Sequence, residues 1–164
     1  MSSIRKLINQ TAIYGTSSII GRFLNFLLTP LYALQFSNEQ YGIITEMYAY
    51  VAFLVVFLTY GMETAFFRFS TTNKEGKINI YSNTLYSLIT TSAIFVAMAT
   101  IFSQDIADCL KYPNHKEYII WFSLIVSLDA VSSIPLAKLR LQEKAKKFAL
   151  VNLLNVGVNI FLNL

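Results

Sequence analysis

Charged residues are sparse in long stretches of this chain and concentrated between them. Apolar runs of about 20 residues recur along the sequence, and a helix of that length crosses the hydrocarbon core of a bilayer. The runs fall at about 11–35, 41–67, 81–102, 118–137 and 148–164. The hydrophobic share, 55%, is only slightly above that of a soluble protein, so arrangement rather than amount defines the class. The expected fold is an all-α integral membrane protein, a bundle of five transmembrane helices occupying the whole of 1–164. Arg5 and Lys6 precede the first run as they would in a signal peptide. That run is too long for one, carries Arg22 at its centre and is followed by no small-residue cleavage site, so it reads as an uncleaved span.

The basic residues set the expected orientation. Arg5 and Lys6, the segment Arg68–Lys77 and the segment Lys138–Lys147 hold ten of the thirteen. The connections on the other side carry only Lys111 and Lys116. By the positive-inside rule the N-terminus is cytoplasmic and the protein is multi-pass. The net charge of +4 is accounted for by this topology, and nucleic acid is not an expected partner. The run Lys138–Lys147 can also meet anionic lipid head groups. The fifth run is still apolar at Leu164 with no flanking charge, which is expected of the N-terminal part of a longer protein. The remaining helices of that parent would then be partners of this lobe.

Within the first span a polar face stands out. Thr11, Tyr14, Ser18, Arg22, Asn25, Thr29 and Tyr32 follow one another at steps of three or four, which places them in one sector of a helix. Ile13, Ile20, Leu24, Leu27, Leu31 and Leu34 occupy the opposite side. An ionisable side chain at this depth marks either a buried pair or a functional group. At about 1.5 Å per residue, Arg22 lies roughly 20 Å below the outer end of its span, and Asp129 roughly 16 Å below the same end of the fourth. Glu46 is about 8 Å down the second span and Glu63 about 33 Å. Asp129 is thus the best-matched partner for Arg22, with Glu46 in reach only by snorkelling. Arg22 either holds the bundle together through Asp129 or binds an anion in a cavity lined by Ser18, Asn25, Thr29 and Tyr32. Asp129 and Glu46 are the candidate pairing or ion-coupling carboxylates.

The second span repeats the pattern with Glu46, Tyr50, Phe53, Phe57, Tyr60, Thr64 and Arg68 on one face of a continuous helix. The fifth carries Asn152, Asn155, Asn159 and Asn163, which bridge helices or bind sugar hydroxyls. Tyr41, Tyr81 and Tyr118 fit an aromatic belt. The segment Ser103–Glu117 reads as a polar loop, with His115 a lone histidine. No catalytic constellation, glycine-rich nucleotide loop or metal-spaced cluster is present, so neither an enzyme nor a cofactor is expected. The single cysteine, Cys109, excludes an internal disulfide.

Three stretches carry a family resemblance: Tyr14–Tyr32 (YGTSSIIGRFLNFLLTPLY), Glu39–Gly42 (EQYG) and Leu58–Phe69 (LTYGMETAFFRF), with the asparagine-rich fifth span. Together they resemble the N-terminal region of bacterial polysaccharide biosynthesis proteins, the O-antigen-type flippases of lipid-linked oligosaccharide related to the lipid II flippase and the MATE exporters. The resemblance implies a two-lobe, MATE-like transporter of which this chain supplies part of the N-terminal lobe. It implies a location in the bacterial cytoplasmic (inner) membrane. Its substrate would be a polyprenyl-diphosphate-linked oligosaccharide moved by alternating access for polysaccharide or lipopolysaccharide export. A cavity arginine suits a diphosphate, because guanidinium offers forked donors to phosphate oxygens. Two other readings remain open: a cation-coupled multidrug exporter of MATE type, and a non-transporting membrane scaffold subunit. An arginine and no acid in the first span counts against the former.

Overall fold

In the computed structural model, residues 34–72 and 77–163 are described continuously, together with 8, 11–16, 19–20, 23, 26 and 30. The described residues are helical throughout apart from short turns, and no strand occurs among them. Six helices are complete enough to number: α1 (Asn38–Thr59), α2 (Met62–Thr72), α3 (Lys77–Ile101), α4 (Ser103–Cys109), α5 (Lys116–Leu141) and α6 (Ala145–Asn163). Three helical stretches among the described residues are long and apolar enough to cross a membrane: Gln40–Thr72, Asn79–Ile101 and Lys116–Leu141. Much of the first expected span lies outside the described residues, and its described positions between 11 and 35 are helical. Helix α6 covers most of the fifth.

The chain divides into two compact units, Ile44–Lys138 and a second made of Met1–Ile43 with Leu139–Leu164. In the second, Phe148 is buried, with the Tyr14 ring edge-on to it at 5.1 Å between centroids and the Arg140 guanidinium 5.8 Å from the Phe148 centroid. The first is the larger and holds the features that matter for function. Its core is a seam of small and medium side chains. Thr84, Leu88, Ser92 and Ala99 are buried on α3, and Ser123, Val126, Ser127, Ala130, Ile134 and Ala137 on α5. Apart from the adjacent pair Val126 and Ser127, the residues of each set recur at spacings of three, four or seven, so each set lies on one helix face. Small residues let helices in lipid approach closely enough for polar contact. The Ser127 hydroxyl accordingly reaches the Ser92 carbonyl across the seam at 3.4 Å.

Local chemistry sets the helix ends. At the start of α1 the Gln40 amide donates to Ser37 Oγ at 3.3 Å, and the Ser37 amide donates to Gln40 Oε1 at 3.2 Å. This reciprocal capping box satisfies two amides that the first turn leaves without helical partners. The stretch 36–40, expected as a plain connection, is therefore the start signal of a helix.

The second expected span, 41–67, is not one straight helix. Tyr60 has φ 33° and Gly61 φ 72°, both in the left-handed region, and the chain resumes as α2 at Met62. The shared face drawn from Glu46 to Arg68 stops there, because the break resets the rotation of everything beyond Tyr60. The depth of Glu63, counted along an unbroken helix, lapses with it. The Tyr60 hydroxyl ties the break to Ser87 of α3 at 2.8 Å, and α2 buries Phe66 and Ser70. The Phe66 ring meets Tyr81 edge-on at 6.2 Å, and Lys138 Nζ lies over the other residue of that pair, 3.7 Å from the Tyr81 centroid. Tyr81, expected in an aromatic belt, therefore also joins α2, α3 and α5.

The expected loop 103–117 is mostly structured. Helix α4 buries Ser103 and Ala107 while Gln104, Asp105, Asp108 and Cys109 stay exposed. It ends in a Schellman motif: the Lys111 amide bonds Asp108 O at 3.1 Å and the Tyr112 amide bonds Ala107 O at 2.8 Å, with Lys111 at φ 65°. Gln104 Nε2 then bonds Asp108 Oδ1 and Pro113 O, both at 2.9 Å, which holds the turn against the helix. The α5–α6 turn repeats the motif, with Glu143 at φ 55°, Glu143 N to Arg140 O and Lys144 N to Leu139 O.

A substitution at the α1–α2 break isolates the backbone term, since a Cβ on Gly61 would meet nothing within 4 Å. Gly61→Ala is predicted to cost about 1 kcal/mol or more from the left-handed backbone alone. Gly157→Ala in α6, where a Cβ also meets nothing, is predicted to be neutral or stabilising by up to about 1 kcal/mol. Thermal midpoints in detergent micelles check both; equal shifts for the two variants would contradict the break.

Candidate functional site

Two features of the larger unit meet at the end of the bundle that carries α4. The first is a carboxylate held by two phenols. Tyr50 follows Glu46 by one helical turn, so its side chain lies over the same face of α1, and its hydroxyl donates to Glu46 Oε1 at 2.9 Å. Tyr112, 66 residues further on, donates to Glu46 Oε2 at 2.7 Å. The Schellman turn places it: with Lys111 in the left-handed region, the chain reverses after α4 and brings Tyr112 to α1. Hydrogen bonds to an ionised acceptor are among the stronger ones in proteins. The contact also pushes the Tyr112 phenol above its ordinary pKa, because Glu46 favours the neutral, donating form. The phenol therefore stays a donor through the physiological range, and the tie is lost only as pH rises through that raised value. Among the described residues no lysine, arginine or histidine forms an ion pair with Glu46.

The second feature is a cavity of about 290 Å³ that shares Tyr50 with the first. Met47 and Val51 of α1, Phe95 and Ala99 of α3, Ile106 of α4 and Phe122 of α5 supply much of its wall. Only Tyr50 and Ser123 bring polar atoms from their side chains, and both are engaged elsewhere: the Tyr50 hydroxyl on Glu46 and the Ser123 hydroxyl on Ile120 O at 2.8 Å. The Phe122 ring is fixed edge-on by Tyr48 at 5.9 Å. Phe53, 63% exposed, opens the mouth.

Of the residues singled out from sequence, Arg22, Ser18, Asn25, Thr29 and Tyr32 lie outside the described residues. Glu46 and Asp129 are described, and no contact joins them. The Asp129 side chain is exposed on α5, between buried Ser127 and Ala130, and among the described residues no cation pairs with it. His115 is not alone: its Nδ1 lies 3.1 Å from Glu117 Oε1, and its ring stacks on Tyr118 at 4.6 Å. Sequence reasoning put Tyr50 on the face of Glu46 but missed Tyr112. The signal that could have found it is weak, a tyrosine just past a short amphipathic segment, where periodicity says nothing about direction.

Apolar helices of spanning length, joined through small-residue seams and short ordered turns, define an integral membrane protein. Residues 33–164 match the family described as polysaccharide biosynthesis protein, and the chain belongs to that family. No curated protein and no solved structure matches it.

The two phenol contacts are unequal in consequence. Tyr50 binds a residue of its own helix, whereas Tyr112 ties two distant segments. Tyr112→Phe is predicted to speed amide hydrogen exchange across 110–115, and Tyr50→Phe to leave that segment close to wild type. Equal exchange in wild type and Tyr112→Phe would show that the hydroxyl does not hold the turn.

Proposed function

We propose that this chain is the N-terminal part of a flippase that carries polyprenyl-diphosphate-linked oligosaccharide across the bacterial cytoplasmic membrane by alternating access. The protein acts as a transporter and not as an enzyme. Membership of the polysaccharide biosynthesis family is the observation that carries this reading. The chemistry of the first span supports it. A charged guanidinium near mid-bilayer is costly without an anion, and a diphosphate presents oxygens in the geometry its forked donors suit. Ser18, Asn25, Thr29 and Tyr32 on the same face add neutral hydrogen-bonding groups for the head group. The sugar-diphosphate turns over in that polar environment while the polyprenyl tail stays in lipid. Asp129, at matching depth along the fourth span, is the candidate carboxylate for pairing or ion coupling. The distribution of basic residues supports a cytoplasmic N-terminus.

Arg22→Ala in the full-length protein is predicted to abolish surface polysaccharide while the protein remains in the membrane at wild-type abundance. Normal polysaccharide in that variant would refute the role given to Arg22.

A further inference from the structure

The walls of the cavity near Glu46 define what it can hold. Its lining comes from the spanning stretches Gln40–Thr72, Asn79–Ile101 and Lys116–Leu141 together with α4. Stretches of this length and composition lie at the depth of lipid chains in a bilayer. Water gains little there, because the two polar side chains on the wall already have partners. An apolar cavity of this kind stays dry and takes hydrocarbon. At about 30 Å³ for a water-sized group in a liquid, 290 Å³ holds on the order of ten such groups, a substantial length of one lipid chain.

The rim adds a charge. Met47 and Tyr50 line the cavity, and Glu46 sits next to the first and hydrogen-bonded to the second. Each Glu46 oxygen accepts one phenolic hydrogen bond and keeps acceptor capacity for another. No cation among the described residues pairs with it. A carboxylate at the edge of the hydrocarbon favours a positive group and disfavours a diphosphate. We propose that the cavity and Glu46 form a binding site for a membrane phospholipid with an ammonium head group. One acyl chain fills the cavity, and the ammonium donates to the Glu46 carboxylate. Tyr112 orients that carboxylate from the turn after α4, so the lipid also braces α1 against α4. The occupant is a resident aminophospholipid, and this goes beyond the transport reading because it needs no oligosaccharide carrier.

Native mass spectrometry of the full-length protein tests it, with three lipids offered in competition: phosphatidylethanolamine, phosphatidylglycerol of identical chains, and a polyprenyl diphosphate. Wild type is expected to retain phosphatidylethanolamine over phosphatidylglycerol by roughly fivefold, the scale of one partly wet charge contact. Glu46→Gln is expected to bring the two to equal retention while still holding lipid. Ala99→Leu, which adds bulk to the cavity wall, is expected to lower retention of both. Should Ala99→Leu fail to fold, the Glu46→Gln comparison decides alone. Equal retention of the two phospholipids by wild type would overturn the proposal, as would a preference that survives Glu46→Gln. Preferred retention of the polyprenyl diphosphate would assign the cavity to the transported lipid instead.

Discussion

A polypeptide in hydrocarbon has no water to complete its hydrogen bonds, and most of the structure follows from that constraint. Backbone groups close on themselves in helices. Hydroxyls do the same: Thr59, Thr84, Thr91, Thr100, Ser123, Ser132 and Ser133 each bond a carbonyl three or four residues earlier on their own helix. A span can therefore carry several serines and threonines without presenting free donors to lipid. At the helix ends, the capping box at Ser37–Gln40 and the Schellman motifs around Lys111 and Glu143 satisfy groups that the helices themselves leave without partners.

The same constraint makes the candidate site readable. A carboxylate within a spanning segment needs partners, and Glu46 has them in two phenols, one local and one brought by the turn after α4. The turn exists because Lys111 accepts a left-handed backbone, so an unfavourable conformation at one residue places the hydroxyl of the next. The neighbouring cavity is the opposite case, a volume with no polar partner on offer. A polar anchor beside an apolar slot is the minimal description of a lipid site, and here one side chain, Tyr50, belongs to both.

Sequence legibility followed periodicity. The helical class, three of the expected spanning stretches and the family were legible because apolar runs of bilayer length and local motifs are one-dimensional signals. The break at Tyr60–Gly61 was not, although glycine was in view: hydrophobicity continues smoothly across it, and an apolar residue at φ 33° leaves no compositional mark. Helix α4 was hidden for the reverse reason. Seven mostly polar residues look like loop until Ser103 and Ala107 are seen to be buried. At the site, Glu46 and Tyr50 were paired by helical spacing, whereas Tyr112 was invisible because its position depends on a turn and not on a repeat. The polar face around Arg22 was the clearest pattern in the sequence, and its residues lie outside the described ones, so its role rests on spacing, depth and family.

Membership of a polysaccharide biosynthesis family is the finding, and movement of an anionic, lipid-linked glycan is the proposal built on it and on Arg22 in the first span. The direct measurement is transport itself. The full-length protein is reconstituted in vesicles loaded with a polyprenyl-diphosphate oligosaccharide on the inner leaflet, and the glycan exposed outside is followed by its release with an added glycosidase. The account predicts that exposure rises with time in protein-containing vesicles and not in protein-free ones. Exposure that stays at the protein-free level, with the protein folded and inserted, would contradict it.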